Sequence, residues 1–480
     1  MHYLSALELC KKIKSKEITS TELTKLYIDR IEKYDDAINS VVVKIFDKAL
    51  EDAEKADIAL EKGEYWGPLH GLPMTIKESY KIKDLDTTWG NKNFKGNIAD
   101  EDGLAVQRLK NAGAHFLGKT NVPLDLSDYQ SYNKIYGTTN NPWDITKTPG
   151  GSSGGSAAAL AAGFTGLEAG SDIGGSIRNP AHYCGVFGHK PTHGVIPSAG
   201  HELFPNVPEP DLSVCGPMAR SAEDLRMALD IMAGPKERKS TGWKLDLPDT
   251  NLKNLNQFKV AIWSNEEMAP VSKEIADRAN MIGSSLSELG ATVSYDARPK
   301  FDAMHQEIVY QTLLQSIITV SMSDQEVEEI QKIVDNLKPN DFSAEALIAR
   351  GTVVSHRYWL RNNYQREQIK TAWQEFFKEW DILICPQQAT TAFFHDQGKI
   401  SERKLIVDGK EQPYFQQIFW SGLATNAHLP STVFPTGLSN ERLPIGLQAI
   451  SGHYQDKKTI EFSRLLAKEI GGFIPPNDYI

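Results

Sequence analysis

Cysteine is scarce in this chain: four residues in 480, at positions 10, 184, 215 and 385, with no Cys-x-x-Cys pair. That spacing fits reduced, mostly buried thiols in a cytoplasmic protein better than a disulfide framework. Basic residues are outnumbered, 52 Lys and Arg against 62 Asp and Glu, for a net charge of −10 with no basic block. Phosphate backbones need clustered cations, so no nucleic-acid partner is expected. No apolar run reaches about 18 residues, which excludes a conventional membrane-spanning helix. The opening MHYLSALELCKKIKSKEITS lacks the apolar core and cleavage site of a secretory signal. What remains, 40% hydrophobic and 24% charged, is a globular composition long enough for a large core.

Three helices are expected in the first 65 residues. Ser5 with Glu8 and Thr19 with Glu22 have capping-box spacing, Leu9/Ile13 and Leu23/Tyr27/Ile31 recur at helical intervals, and a third helix covers about 47–62. Leu104–Ala112 reads as a helix, Lys259–Trp263 as a strand after a linker-like stretch at 234–257, and about 271–379 as a mostly helical insertion. Short apolar strands are expected at 381–385, 428–435 and 443–448, then a closing helix over about 456–470. With no internal repeat, this alternation predicts one α/β domain, its sheet mixed but largely parallel and covered by helices on both faces.

Two motifs invite readings that their context opposes. Residues 113–120, GAHFLGKT, satisfy the phosphate-loop spacing, but Gly113 reads as a helix C-cap and 114–117 as a strand, the reverse of a phosphate loop. His182, His189 and His193 match no helix face and have no carboxylate or cysteine at ligand spacing, so no metal is expected.

The richest stretch is 148–180, TPGGSSGGSAAALAAGFTGLEAGSDIGGSIRNP. It holds two glycine-flanked serine clusters joined by small residues suited to a tightly packed helix. Dense glycine lets a backbone approach a ligand and present N–H donors beside a hydroxyl. Upstream, Met74–Glu78 reads as an apolar strand carrying Lys77. Gly-x-Ser-x-Gly, centred on Ser152 and again on Ser153, also fits the nucleophile elbow of an α/β-hydrolase. That alternative needs an acid and a histidine, for which Asp381, His428 and His453 are candidates. It leaves the second cluster, Gly174-Gly175-Ser176, unexplained.

Taken together, Lys77 in GLPMTIKES, PGGSSGG, and GSDIGGSIRNPA resemble the amidase signature family, with spacings of 152 − 77 = 75 and 176 − 152 = 24 residues. The resemblance runs from ITSTEL through LGKTNVP, YGTTNNPWD and CGVFGHKPTHG to LPIGLQ. It implies the amidase-signature fold and hydrolysis of a C–N amide bond without metal or cofactor. By the same resemblance Ser176 is the nucleophile, Ser152 the bridging serine and Lys77 the base. The N–H groups of Ile173, Gly174, Gly175 and Ser176 then form the oxyanion hole, supported by Ser153, Asp172 and Arg178. The roles are chemically coherent: a serine hydroxyl needs a base, and burial can lower a lysine until its amine is neutral. A small-molecule amide is the expected partner, and a homodimer is compatible with the family.

Two members of the family remain as readings: a stand-alone amidase, and the glutamine-hydrolysing subunit of a tRNA-dependent amidotransferase. The second carries an acid ahead of an NLAGLP-like segment to hold the glutamine ammonium. Here that segment is TNAHLP (425–430), and the acid's place falls on or near Ile418. An apolar residue there would leave a buried ammonium unpaired. Phe419 and Trp420 are expected to form a pocket for an aromatic or aliphatic substrate group.

Overall fold

A computed structural model describes residues 1–204 and 207–479. Both N-terminal capping boxes form, at Ser5/Glu8 and Thr19/Glu22, and start helices Ala6–Lys14 and Ser20–Ile38. Each such cap stabilises its helix by about 1 kcal/mol. Asp224 also accepts the Ala6 and Leu7 N–H groups, both at 2.8 Å, and ties the first helix to helix Ala222–Met232. The third helix is Phe46–Glu61. A strand not foreseen in the sequence, Val41–Lys44, separates it from the second.

That strand pairs antiparallel with His115–Thr120, which pairs parallel with Pro73–Lys77. The phosphate-loop lookalike is therefore a strand whose Lys119 is buried and bonded to the Asp86 carbonyl and Thr87 Oγ1.

The main sheet has eight strands. From edge to edge they are Thr292–Ser294, Lys259–Ile262, Ile382–Pro386, Pro444–Ile450, Ser431–Leu438, Phe187–Lys190, Val214–Ala219 and Glu168–Asp172. Side-chain alternation feeds two cores. Ile382 and Ile384 pack with helices Ala222–Met232, Lys273–Glu288 and Asp456–Ile470. Leu383 and Cys385 pack with helices Ala303–Ile318, His356–Glu379 and Ile418–Asn426. Helices thus cover both faces, as expected. The four cysteines are free and buried, and no helix among the described residues is long and apolar enough to cross a membrane.

The sheet is mixed, but the expectation of largely parallel pairing needs correction. Lys259–Ile262 is parallel to its two neighbours, whereas every other adjacent pair is antiparallel. The crossover through helix Arg178–Cys184 does return the chain in the direction of Glu168–Asp172. Val214–Ala219 then inserts between the two strands so related, antiparallel to both. Alternation of helix and strand in sequence fixes strand direction but not which strands become neighbours.

Candidate active site

Lys77 ends the strand Pro73–Lys77, all five residues of which are buried. This strand lies against the sheet edge: the Thr75 N–H donates to Thr165 Oγ1 at 2.9 Å, and its hydroxyl to Glu168. Lys77 Nζ donates to Ser152 Oγ at 2.7 Å and to Ser171 Oγ at 2.9 Å. Burial lowers its pKa to about 7 against weaker opposing pulls from Asp172, Cys215 and Glu168. A fall from 10.5 to about 7 is worth roughly 5 kcal/mol between the two protonation states. Burial also raises the neighbouring Glu168 carboxyl to about 8. Burial thus brings the amine within reach of its neutral form near neutral pH.

Ser152 is buried, joined to Gly151 by a cis peptide, one residue before the cap position of helix Gly154–Ala161. Every residue of that short helix is buried, and its small side chains allow close packing. A Cβ on Gly155 would stand 2.3 Å from the Asn121 nitrogen. The segment ahead of Ser152 has no strand after Gly137–Thr138, so it is not a strand-to-helix elbow. Nor do the hydrolase candidates converge. Asp381 accepts the Lys259 N–H and pairs with Lys458, and His428 pairs with Asp211. No histidine bonds to Ser152 or Ser176 among the described residues. Ser153 donates its N–H to the Ser176 carbonyl at 3.0 Å, linking the two serine clusters.

Residues 173–177 turn sharply between strand Glu168–Asp172 and helix Arg178–Cys184, and Asp172 anchors the turn. It accepts N–H groups from Gly175 at 2.9 Å, Ile177 at 3.1 Å and Arg178 at 3.3 Å. The Arg178 guanidinium adds two bonds, at 2.9 and 3.0 Å. Burial alone would raise the Asp172 carboxyl, but these partners hold it below its ordinary value. Arg178 is fully enclosed and also donates to the Ser421 carbonyl, Gln448 and Thr425.

The turn's carbonyls are held as firmly. Ile173 accepts from the Tyr310 hydroxyl at 2.9 Å, Gly174 from the Tyr129 hydroxyl at 2.6 Å, and Gly175 from the Asn179 N–H at 2.6 Å. In a trans peptide the following N–H points the opposite way. One expectation changes: the Gly175 N–H is committed to Asp172 and is not an oxyanion donor. The N–H groups of Ile173, Gly174 and Ser176 have no acceptor among the described residues.

The pocket expectation also needs correction. Phe419 and Trp420 are fully buried and pack on Trp263 with ring centroids 5.9 and 6.1 Å away. Trp420 Nε1 donates to the Ala269 carbonyl at 3.0 Å. They belong to the core because successive helix residues point about 100° apart. It is Ile418, one position earlier, that reaches the turn, its Cδ1 3.3 Å from where a Cβ on Gly174 would lie. Sequence reasoning missed Ser171, Tyr129 and Tyr310. Ser171 was legible beside Asp172, whereas the tyrosines come from segments with no local signal.

Of the histidines, His182 bonds to the Gly446 N–H and Thr390 carbonyl, and His189 to Thr432 and Asp456. His193 stacks on His428 at 4.4 Å, and with Asp211 these two place ligand-type atoms within 4.8 Å of one another. The Arg366 guanidinium stands 2.6 Å from that carboxylate and competes with any cation for it.

A buried lysine amine bonded to a serine, next to a turn with unpaired N–H donors and a serine at its end, is a candidate serine–lysine hydrolase site on a mixed α/β fold. The amidase family profile matches residues 22–460, and the chain belongs to that family, the amidase-signature amidohydrolases. It is 30% identical over 489 residues to a glutamyl-tRNA(Gln) amidotransferase subunit of Alkaliphilus metalliredigens, covering 98% of this chain and 97% of that one. It is 32% identical over 466 residues to the corresponding subunit in Gloeothece citriformis, covering 93% of each. A bacterial aryl acylamidase of the amidase signature family superposes with a TM-score of 0.80 at 24% identity, covering 97% of this chain and 96% of the other, and shows a shared fold.

Proposed function

We propose that the protein is a stand-alone amidase that hydrolyses an uncharged, hydrophobic or aryl amide through an acyl-enzyme on Ser176. The observation that carries this reading is the 2.7 Å bond from Lys77 to Ser152, made by an amine whose burial brings it near neutrality. In the proposed course, Lys77 takes a proton from Ser152 as Ser152 takes the Ser176 proton. The Ser176 oxygen adds to the amide carbonyl, and the N–H groups of Ile173, Gly174 and Ser176 hold the oxyanion. The proton returns through Ser152 to the departing nitrogen, the C–N bond breaks, and water releases the acid by the same relay. Each oxyanion donor supplies about 3 kcal/mol of transition-state stabilisation.

Ile418 beside Gly174 supports an uncharged substrate. Arg178 and Asp172 saturate each other, so the turn offers no free charge to an amino-acid ammonium or carboxylate. The names of the relatives support a second reading, the glutaminase subunit of a tRNA-dependent amidotransferase. Hydrolysis assays with the isolated chain separate the two, with Ser176→Ala as the blank. The panel holds glutamine, aliphatic amides, fatty amides, anilides and aryl carbamates. Turnover of hydrophobic amides with glutamine inert supports the stand-alone reading, and ammonia from glutamine alone overturns it.

A further inference from the structure

A relay through Ser152 works only if that serine sits in line with Ser176. Two hydrogen bonds tie its loop to the Ser176 turn, one on each side of it. Ser153 donates its N–H to the Ser176 carbonyl at 3.0 Å. Gly151 donates its N–H to Asn179 Oδ1 at 2.9 Å. The first is a backbone bond, which any residue but proline could make. The second depends on one side chain.

Asn179 is fully enclosed in the helix Arg178–Cys184. Its own N–H donates to the Gly175 carbonyl at 2.6 Å and so fixes the peptide plane that carries the Ser176 N–H. One residue thus grips both serine clusters, the Ser176 turn through its backbone and the Ser152 loop through its amide oxygen. The close approach needs a glycine beside it: a Cβ on Gly150 would stand 2.6 Å from Asn179 Oδ1. Lys77 has a separate bond to Ser171 at 2.9 Å, and the Ser176 turn has its anchor in Asp172. Releasing Gly151 would therefore displace the middle of the relay while both ends keep their partners.

We propose that Asn179 is a positioning residue, whose side-chain oxygen holds Ser152 in line between Lys77 and Ser176 without touching substrate. This rests on the amidase reading for the roles of those three side chains. Replacing Asn179 by alanine keeps the backbone bond to Gly175, so its effect isolates the amide oxygen.

The test is the rate at which a fluorophosphonate probe labels Ser176, with the modified residue located by peptide mass spectrometry. In that step the Ser176 Oγ–P bond forms, the P–F bond breaks, fluoride leaves, and the Ser176 proton passes through Ser152 to Lys77. Loss of one neutral hydrogen bond corresponds to about a tenfold change. Asn179→Ala should slow labelling about tenfold, measured at a temperature where the variant is fully folded. In a Ser152→Ala background the same change should slow labelling no further, because a residue that acts through Ser152 has nothing left to position. A general packing defect would slow both backgrounds alike. If Asn179→Ala does not fold, Asn179→Thr takes its place in the cycle. A loss that persists in the absence of Ser152, or labelling at the rate of the unsubstituted protein, overturns the role of Asn179 alone. Absence of labelling at Ser176 in the unsubstituted protein overturns the amidase reading and this role with it.

Discussion

The Tyr310 hydroxyl donates to the Ile173 carbonyl at 2.9 Å and joins a long helix of the 271–379 region to the turn that carries Ser176. It reaches across 137 residues of sequence. Because the Gly174 N–H shares a peptide plane with that carbonyl, the bond would aim the proposed oxyanion donor without touching substrate. Tyr310→Phe should lower kcat by roughly tenfold, the worth of one hydrogen bond, and leave KM nearly unchanged. A fall confined to KM would assign Tyr310 to substrate contact instead.

Lys77 should write its titration into the rate. As a base it must be unprotonated, so kcat/KM should rise with pH through a midpoint near 7, the value to which burial lowers the amine. A midpoint above 9 would mean that the folded site does not lower the lysine. Lys77→Met, which keeps the apolar volume, should cost about 10²–10⁴-fold in activity at neutral pH.

Gly175 has φ +107°, and a Cβ there would stand 2.4 Å from Ser421 Oγ and 2.8 Å from Gln387 Nε2. Backbone in that region strains any L side chain. Gly175→Ala should therefore abolish most activity by displacing the turn, while circular dichroism stays unchanged. Full activity in this variant would show that the turn tolerates displacement.

Asp172 and Arg178 are a fully buried pair, and removing one member leaves the other uncompensated. Asp172→Asn should reduce unfolding free energy by about 3–5 kcal/mol, measured by urea denaturation. It should also lower activity, because three N–H groups of the turn and helix start lose their anchor. An unchanged denaturation midpoint would mean that Arg178 finds another partner.

The sequence made some of this legible and hid the rest for physical reasons. Local chemistry was readable: both capping boxes form, and the closing helix Asp456–Ile470 has the bounds expected of it. The serine clusters and Lys77 stood out because apolar flanks around a lysine and paired Gly-Gly-Ser turns are unusual together. Contacts made across long separations carried no such mark. Tyr129 and Tyr310 lie in ordinary helical or strand-flanking text, and only the folded chain brings them to the turn. Phe419 and Trp420 show the converse error. Aromatic residues near an expected pocket look like its lining, yet both pack in the core, and of the three neighbours it is Ile418 that also reaches the turn. Strand neighbours were equally hidden, since insertion of Val214–Ala219 between two strands is a long-range event.

The bond from Arg178 to Gln448 spans 270 residues. Arg178 is also the partner that Asp172 needs to hold the turn. During synthesis the serine clusters leave the ribosome long before the strand Pro444–Ile450 exists. The half-made chain therefore holds the Asp172–Arg178 pair before the Gln448 partner of Arg178 exists. A product truncated before Gln448 carries Lys77, Ser152 and Ser176 without that contact, and should hydrolyse its substrate more slowly than the full chain.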